Sequence, residues 1–438
     1  VEYSLIGFAC LLVLIFLRIP LALAMGVTGV VGFAMVQINV YGNPAGWELA
    51  LSQVPQMALK TGMIEGLSVV PLFILMSRFM TETGISSRLY RASNAFLGHL
   101  RGGLAMATVL ACGLFSAVCG SSMATSATMS KVAMPSMRRY HYADSLATGS
   151  IAAGGTLGIL IPPSMILVIY GLMTGTDIGK LFMAGILPGV LGVLLYMAAV
   201  WVIVRLNPDS GPAAGRCSWF ERLQALRGVW GVVLLFTLVM GGIYTGLFTP
   251  TGAAGMGACG ALLIAVLLGK LSWHSLYRIL VSTAETTAML FFLLIGALLF
   301  SRFINLAGLP DGLGEWVLAL DISPMTVLLL VIGIYLFLGM ILESLPMVLL
   351  TVPVFYPVMQ ALGFDLIWFG ILVVIVTEIS LITPPVGLNV FVLKAAVSDV
   401  TLETLFRGVT PFWVADLVRL TLIATLPGIS LLLPGLAG

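Results

Sequence analysis

Apolar runs of roughly 17–25 residues follow one another along the whole chain, each long enough to cross the hydrocarbon core of a bilayer. In hydrocarbon every backbone N–H and C=O must find its partner within the protein, and only helices and closed barrels achieve that. A barrel strand alternates polar and apolar residues, and these runs do not alternate. The charge content agrees: 60% of the 438 residues are hydrophobic and 9% are charged, where a soluble domain carries about 25% charged residues. The sequence predicts an all-α polytopic membrane protein, in contact with membrane lipid.

Several function classes drop out early. The net charge is +2, and no basic tract with interleaved aromatics points to nucleic acid. The five cysteines include no C-x-x-C pair, and His99, His141 and His274 fall in short polar connections, apart from the clustered ligands a metal centre needs. An intramembrane enzyme would require a Ser–His, paired-Asp or metal constellation, and no H-E-x-x-H or paired intramembrane Asp occurs. The N-terminal run holds Arg18 and Pro20 and lacks a small-residue cleavage site, so it does not read as a signal peptide. It reads as one bent helix or as two short ones.

Basic residues set the topology. Arg88, Arg91 and Arg101 share one connection, Arg138 and Arg139 another, and Arg205, Arg216, Arg222 and Arg227 mark the longest polar stretch, residues 205–228. The positive-inside rule places these on the cytoplasmic face. A segment with both ends inside, 102–137, must enter and return as a re-entrant hairpin, and its middle reads "CGSSMATSAT" (119–128). The second half has the opposite bias. No Lys or Arg lies between Arg302 and Lys394, and Asp311, Glu315, Asp321 and Asp365 fill the connections. A second hairpin, with "GMILESLPMVLLT" (339–351) at its middle, therefore enters from outside.

Landmarks of the two halves recur in one order. Ser121 pairs with Ser344, 223 residues on; Pro135 with Pro357 and Pro162-Pro163 with Pro384-Pro385, 222 on; Gly84 with Gly308, 224 on. Opposite charge bias makes these inverted repeats, the mark of secondary transporters whose sites lie near the midplane. Each double proline breaks a helix, because proline lacks an N–H and clashes with the preceding turn. The freed carbonyls, at the negative end of a half-helix dipole, suit a small cation. Residues 154–164 with Gly120 and Ser121 would form one such site, and residues 378–389 with Gly339 and Ser344 the other. A passive membrane anchor gains nothing from two broken helices.

The stretches "PLFILMSRFMTETGISSRL" (71–89), "GSSMATSATMSKVAMPSM" (120–137), "GGTLGILIPPSMILVIYG" (154–171), "LGMILESLPMVLLTVPVF" (338–355) and "LITPPVGLNVFV" (381–392) resemble the large membrane subunit of the tripartite ATP-independent periplasmic transporters, within the ion transporter superfamily. The resemblance implies a sodium-coupled importer of an organic acid, of the C4-dicarboxylate or sialic acid class, in a bacterial inner membrane. It implies two partners, a small four-helix membrane subunit and a periplasmic substrate-binding protein. It also implies an elevator of scaffold and transport domains. On that basis residues 1–66 are N-terminal scaffold helices and 67–204 the first repeat, with its hairpin and broken helix. Residues 205–228 are a cytoplasmic connection, 229–282 scaffold helices, 283–400 the second repeat and 401–438 a C-terminal helix.

Carried over by position, the first Na+ site takes Gly120 and Ser121 with the Gly158 and Pro162 carbonyls. The second takes Gly339 and Ser344 with Ser380, Thr383 and Val386. Ser122 and Asn389, short donors near the two sites, are candidates for the substrate carboxylate. The sequence departs from the family where Ser122-Met123 replace Gly-Pro at the first tip, where Glu343 replaces Asp, and where Ser380 replaces Gly. Among charges deep in apolar runs, Lys131 can snorkel to the cytoplasmic face, and Glu285 reads as lying near a helix start. Glu343 and Glu378 offer a rival reading, coupling to protons, since an intramembrane carboxylate is functional by default.

Overall fold

The computed structural model describes residues 2–319 and 322–436; Asp321, a marker of the outer face above, lies outside them. Among the described residues there are twenty-one α-helices and no strand. Six helices are long and apolar enough to cross a membrane, or up to eight if each of two bent pairs counts as one span.

The chain opens with two helices, α1 (Glu2–Phe16) and α2 (Leu21–Asn39). Arg18 between them sits at φ +61°, and Pro20 disfavours helical backbone at the residue before it. Next come α3 (Gly46–Met63) and α4 (Val69–Glu82), bent by 66° across a short turn. After α5 (Ile85–Leu97), the first hairpin is α6 (Gly103–Cys119) and α7 (Ser122–Arg139). The broken helix follows as α8 (Asp144–Thr156) and α9 (Met165–Thr174), interrupted around Pro162-Pro163, and then the long α10 (Ile178–Leu206).

A short helix, α11 (Trp219–Arg227), leads to α12 (Trp230–Tyr244), α13 (Pro250–Leu267) and the 34-residue α14 (Trp273–Leu306). Beyond α15 (Leu309–Ala319) the second hairpin is α16 (Pro324–Gly339) and α17 (Ser344–Ala361). The second broken helix is α18 (Leu366–Ser380) and α19 (Leu388–Ala396), followed by α20 (Leu402–Thr425) and α21 (Gly428–Leu436).

The order α12–α20 reproduces α1–α10, with α14 standing for α3 and α4 together. The repeat is thus larger than residues 67–204 and 283–400, since it takes in the N-terminal helices and α20. The expected boundary at 282/283 falls inside α14, where no Gly or Pro interrupts residues 273–295. Glu285 is accordingly mid-helix, not near a start. The C-terminal segment is two helices, because Pro427 turns Leu426 out of helical backbone, at φ −123° and ψ 74°.

Packing follows the same symmetry. A Cβ on Gly29 of α2 would meet the Leu299–Phe300 backbone of α14 at 2.6 Å, and one on Gly296 would meet the Ala22 carbonyl at 2.2 Å. These glycines let two backbones touch, the way membrane helices associate without a hydrophobic drive. The related pair α4 and α13 packs likewise. At the centre, α8 is buried from Leu146 to Thr156 and α18 from Trp368 to Ser380, as expected of helices apolar on every face. The repeats also interleave: α7 packs on α19, and α17 packs on α9.

Hydrogen bonds place both ends of the first hairpin on one side. The Gly102 N–H donates to the Gly211 carbonyl at 2.8 Å, and the Ala143 N–H to the Ser210 carbonyl at 3.0 Å. Arg138 pairs with Asp144 at 3.4 Å and with Asp399 at 2.6 Å. The basic connections 88–101, 138–139 and 205–228 therefore share one face.

Candidate ion and substrate site

Each hairpin tip rests against the break of its own repeat. In the first, Gly120 ends α6 at φ +60°, a backbone state that glycine adopts without steric cost. A Cβ there would lie 3.1 Å from the Pro163 carbonyl oxygen. Ser121 is the N-cap of α7, its hydroxyl accepting from the Ala124 N–H at 3.4 Å. Across the gap, a Cβ on Gly158 would meet the Ser121 carbonyl at 3.0 Å and Thr125 Oγ1 at 3.1 Å. Oxygens of Ser121, Pro163 and Thr125 thus converge on Gly120 and Gly158. The break is held by Ser164, whose hydroxyl donates to the Ile159 carbonyl and accepts from the Leu167 N–H at 3.3 Å.

The second tip meets its break at Gly339, where a Cβ would lie 2.3 Å from Ser380 Oγ. This tip is longer, with residues 340–343 between its helices against 120–121 in the first. The N-cap of α17 is consequently Glu343, and Ser344 is the first helical residue. In register Ser121 answers to Glu343 and Ser122 to Ser344, one residue from the pairing read off the sequence. Thr383 Oγ1 donates to the Ile379 carbonyl at 2.6 Å and accepts from Trp413 Nε1 at 3.0 Å. One of its two lone pairs is left for a further partner. Among the described residues no hydrogen bond joins Ser344 to Thr383 or Val386.

Neither break satisfies all of its own backbone. The carbonyls of Pro162, Pro163, Pro384, Pro385 and Val386 accept no hydrogen bond from a described residue. Such oxygens, with a hydroxyl alongside, are the donor set a hard monovalent cation takes. Among the described residues no cluster of three or more His, Cys, Asp or Glu suits a metal ion. The two breaks are not in equal surroundings. Pro162 and Pro163 are buried, whereas Pro384 and Pro385 are exposed.

The two candidate substrate residues are brought together across the repeats. Asn389 Nδ2 donates to Ser122 Oγ at 2.6 Å and to the Ala152 carbonyl at 3.2 Å. Asn389 is fully buried, and its Oδ1 has no partner. Both amide hydrogens are thus committed within the protein, and Ser122 keeps the free hydroxyl hydrogen of the pair.

One constellation was not read from the sequence. Arg419 on α20, fully buried, pairs with Glu378 of α18 at 2.5 Å and with Asp416 at 2.8 Å. Asp416 accepts from Tyr196 of α10 at 2.6 Å, and Tyr196 shares a 3.1 Å hydrogen bond with Thr156, the last residue of α8. Thr156 and Glu378 are 222 residues apart, repeat mates just before the two breaks. Glu378 is therefore held by a guanidinium, while Glu343 stands exposed at the second tip and, among the described residues, makes no ion pair. Sequence did carry a signal: Asp416 and Arg419 lie three apart in an otherwise apolar run. Thr125, one turn beyond Ser121, was also missed.

Residues 8–429 match the family model "Tripartite ATP-independent periplasmic transporter, DctM component". The C4-dicarboxylate TRAP transporter large permease protein of Pseudomonas aeruginosa is 39% identical, over 85% of this chain and 87% of that one. The sialic acid large permease protein of Vibrio cholerae is 35% identical, over 84% and 86%. The ectoine large permease protein of Halomonas elongata is 32% identical, over 98% of each. Among solved structures, the YdaH transporter of Alcanivorax borkumensis shares the fold, with a TM-score of 0.66 over 88% of this chain and 90% of that one, at 14% identity.

Proposed function

The chain belongs to the DctM component family of the tripartite ATP-independent periplasmic transporters, a multi-pass permease component and not an enzyme, and from that premise we propose that it imports an organic acid coupled to sodium. The observation that carries this reading is the pair of tip-on-break contacts, each presenting unclaimed backbone carbonyls with a hydroxyl nearby. The first site would draw on Gly120, Ser121, Gly158 and Pro162, joined by Pro163 and Thr125. The second would draw on Gly339, Ser344, Ser380, Thr383 and Val386. Half-helix C-termini supply partial negative charge to a cation, and the N-termini of α7 and α17 supply N–H groups to an anion. The named substrates of the relatives, a C4-dicarboxylate, sialic acid and ectoine, share a carboxylate. On this reading Ser122, with its free hydroxyl hydrogen, meets that carboxylate, and Asn389 orients Ser122. A periplasmic binding protein delivers the acid to the bacterial inner membrane, a small membrane subunit completes the scaffold, and the hairpin-bearing domain moves as an elevator.

The test is uptake of candidate acids into proteoliposomes holding the chain and its small subunit, with purified binding protein added outside. Uptake should need an inward sodium gradient and the binding protein. Ser121→Ala or Thr383→Ala should raise the sodium concentration for half-maximal uptake. A lost hydroxyl contact to an ion is worth about 1–3 kcal/mol by analogy with hydrogen bonds to charged groups, or roughly five- to a hundredfold. Uptake that follows a pH gradient without sodium, and that Glu343→Gln abolishes, would replace sodium by a proton carried at the second tip.

A further inference from the structure

Arg88 and Arg91 lie three apart on one face of α5 and line a pocket of ≈ 520 Å³ against the α11–α12 corner. Among the described residues neither makes an ion pair or a hydrogen bond. The only carboxylate in the lining, Glu221, turns one oxygen to the Ser218 N–H at 2.6 Å in the box that starts α11 and pairs with neither arginine. The pocket therefore presents two guanidiniums outside any ion pair and carries a net positive charge, on the face where the basic connections gather.

Its wall is shaped for a membrane surface. Trp219, Phe220, Leu223 and Leu226 of α11 are all exposed, Trp219 by 73% and Phe220 by 78%. At spacings i, i+1, i+4 and i+7 they form one apolar face, and α11 leaves the axis of α12 by 51°. A short helix with an outward aromatic face and arginines behind it lies in the headgroup plane. Arg222 pins it to α5, donating to the Ala95 carbonyl at 3.1 Å with its guanidinium over the Trp219 ring at 4.9 Å.

Beside the polar pocket lies an apolar cleft of ≈ 530 Å³ between α6, α10 and α12. Asn94 and Leu97 of α5, three residues apart, line one each, as do Gly228, which ends α11, and Val232 of α12, four residues apart. The cleft is open sideways: Leu114, Val190, Leu194 and Val233 on its walls are exposed. In a bilayer that opening faces acyl chains.

We propose that the Arg88–Arg91 pocket and the cleft beside it form one site for an anionic phospholipid, its phosphate on the two arginines and an acyl chain between α6, α10 and α12. Basic pockets between cytoplasmic helix ends are where anionic headgroups bind, and two unpaired guanidiniums match a phosphate in charge and geometry. The site owes nothing to sodium coupling. It needs only that the chain spans a membrane.

The experiment is native mass spectrometry of the full chain in detergent, titrated with phosphatidylglycerol or phosphatidylcholine of identical acyl chains. The wild type should bind one phosphatidylglycerol at least about tenfold more tightly than phosphatidylcholine, the scale set by two surface cations. Arg88→Gln with Arg91→Gln should erase that preference, and Lys270→Gln, at an exposed lysine after α13 that lines neither the pocket nor the cleft, should leave it. Val233→Trp, which fills the cleft from an exposed position, should weaken both lipids. Equal binding of the two lipids to the wild type, or an unchanged preference in the double variant, would overturn the proposal. So would competition by millimolar inorganic phosphate together with indifference to Val233→Trp, since that pattern describes an anion pocket without a lipid.

Discussion

Replacing Arg419 by methionine tests the buried network at its centre. The substitution keeps much of the side-chain length and removes the charge. It leaves Glu378 and Asp416, both fully buried, without the cation that now lies 2.5 and 2.8 Å away. Tyr196 still donates to Asp416, but Glu378 keeps no charged partner. Stripping one member from a buried ion pair costs about 3–5 kcal/mol, chiefly because the remaining charge is stranded in a poor dielectric. With roughly 2 °C per kcal/mol for a chain of a few hundred residues, the apparent melting point should fall by about 5–10 °C. The readout is the fraction of detergent-solubilised protein that stays monodisperse after a heating series, compared at one heating time because such unfolding is irreversible. The triple variant Arg419→Met, Glu378→Gln, Asp416→Asn removes all three charges, and a neutral replacement of a buried ionic cluster is often neutral or stabilising. It should recover most of the loss. A single variant within about 2 °C of wild type, or a triple variant no better than the single, would refute the stranded-charge argument.

Gly29→Ala should destabilise the contact of α2 and α14 by about 1–3 kcal/mol through overpacking, since the new Cβ would meet backbone at 2.6 Å; Gly62→Ala, with open space around it, is the control in the same heating series. In a cysteine-free background, Tyr140→Cys should react with an impermeant maleimide only from the face of the basic connections, and Ala361→Cys only from the other; reaction of both from one side would dismantle the opposed hairpins. Asn389→Ala removes two hydrogen bonds that cross the repeats and leaves a buried carbonyl acceptor, so it should cost about 1–3 kcal/mol and reduce uptake by more than it reduces folded protein, as scored by parallel gel filtration and flux.

The double prolines were readable because their effect is local. Proline lacks the N–H and clashes with its own preceding turn whatever surrounds it, and both breaks fall where Pro162-Pro163 and Pro384-Pro385 stand. The start of the second repeat was hidden for the opposite reason. Helix α3 bends into α4 around residues 64–68, whereas α14 runs straight through the related region, and no residue type in 273–295 announces either outcome. The offset between tips was masked by two extra residues in the second loop. Arg419 was missed because its meaning is tertiary. Glu378 lies 41 residues away, and the Tyr196–Asp416 bond spans 220. Only the packing of α10, α18 and α20 reveals that these side chains share one dry space.

That placement explains why a costly cluster sits where it does. A buried ion pair is weak evidence for stability, and its best-attested use is to fix register. Here the chain Thr156–Tyr196–Asp416–Arg419–Glu378 runs from the end of α8 to the end of α18, the last regular backbone before each break. Apolar packing is non-directional, so on its own it fixes the depth of a broken helix only loosely. A directional side-chain network sets that depth for both half-helices at once. The interleaving of α7 with α19 and of α17 with α9 then places elements of the opposite repeat beside each hairpin. The Asn389–Ser122 bond makes the same connection at the first tip. Yet the first break is buried and the second exposed, although sequence and topology make them mates. On the transport reading, that inequality is what an inverted pair offers: two related sites held rigidly to one another, with access granted to one while the other is closed.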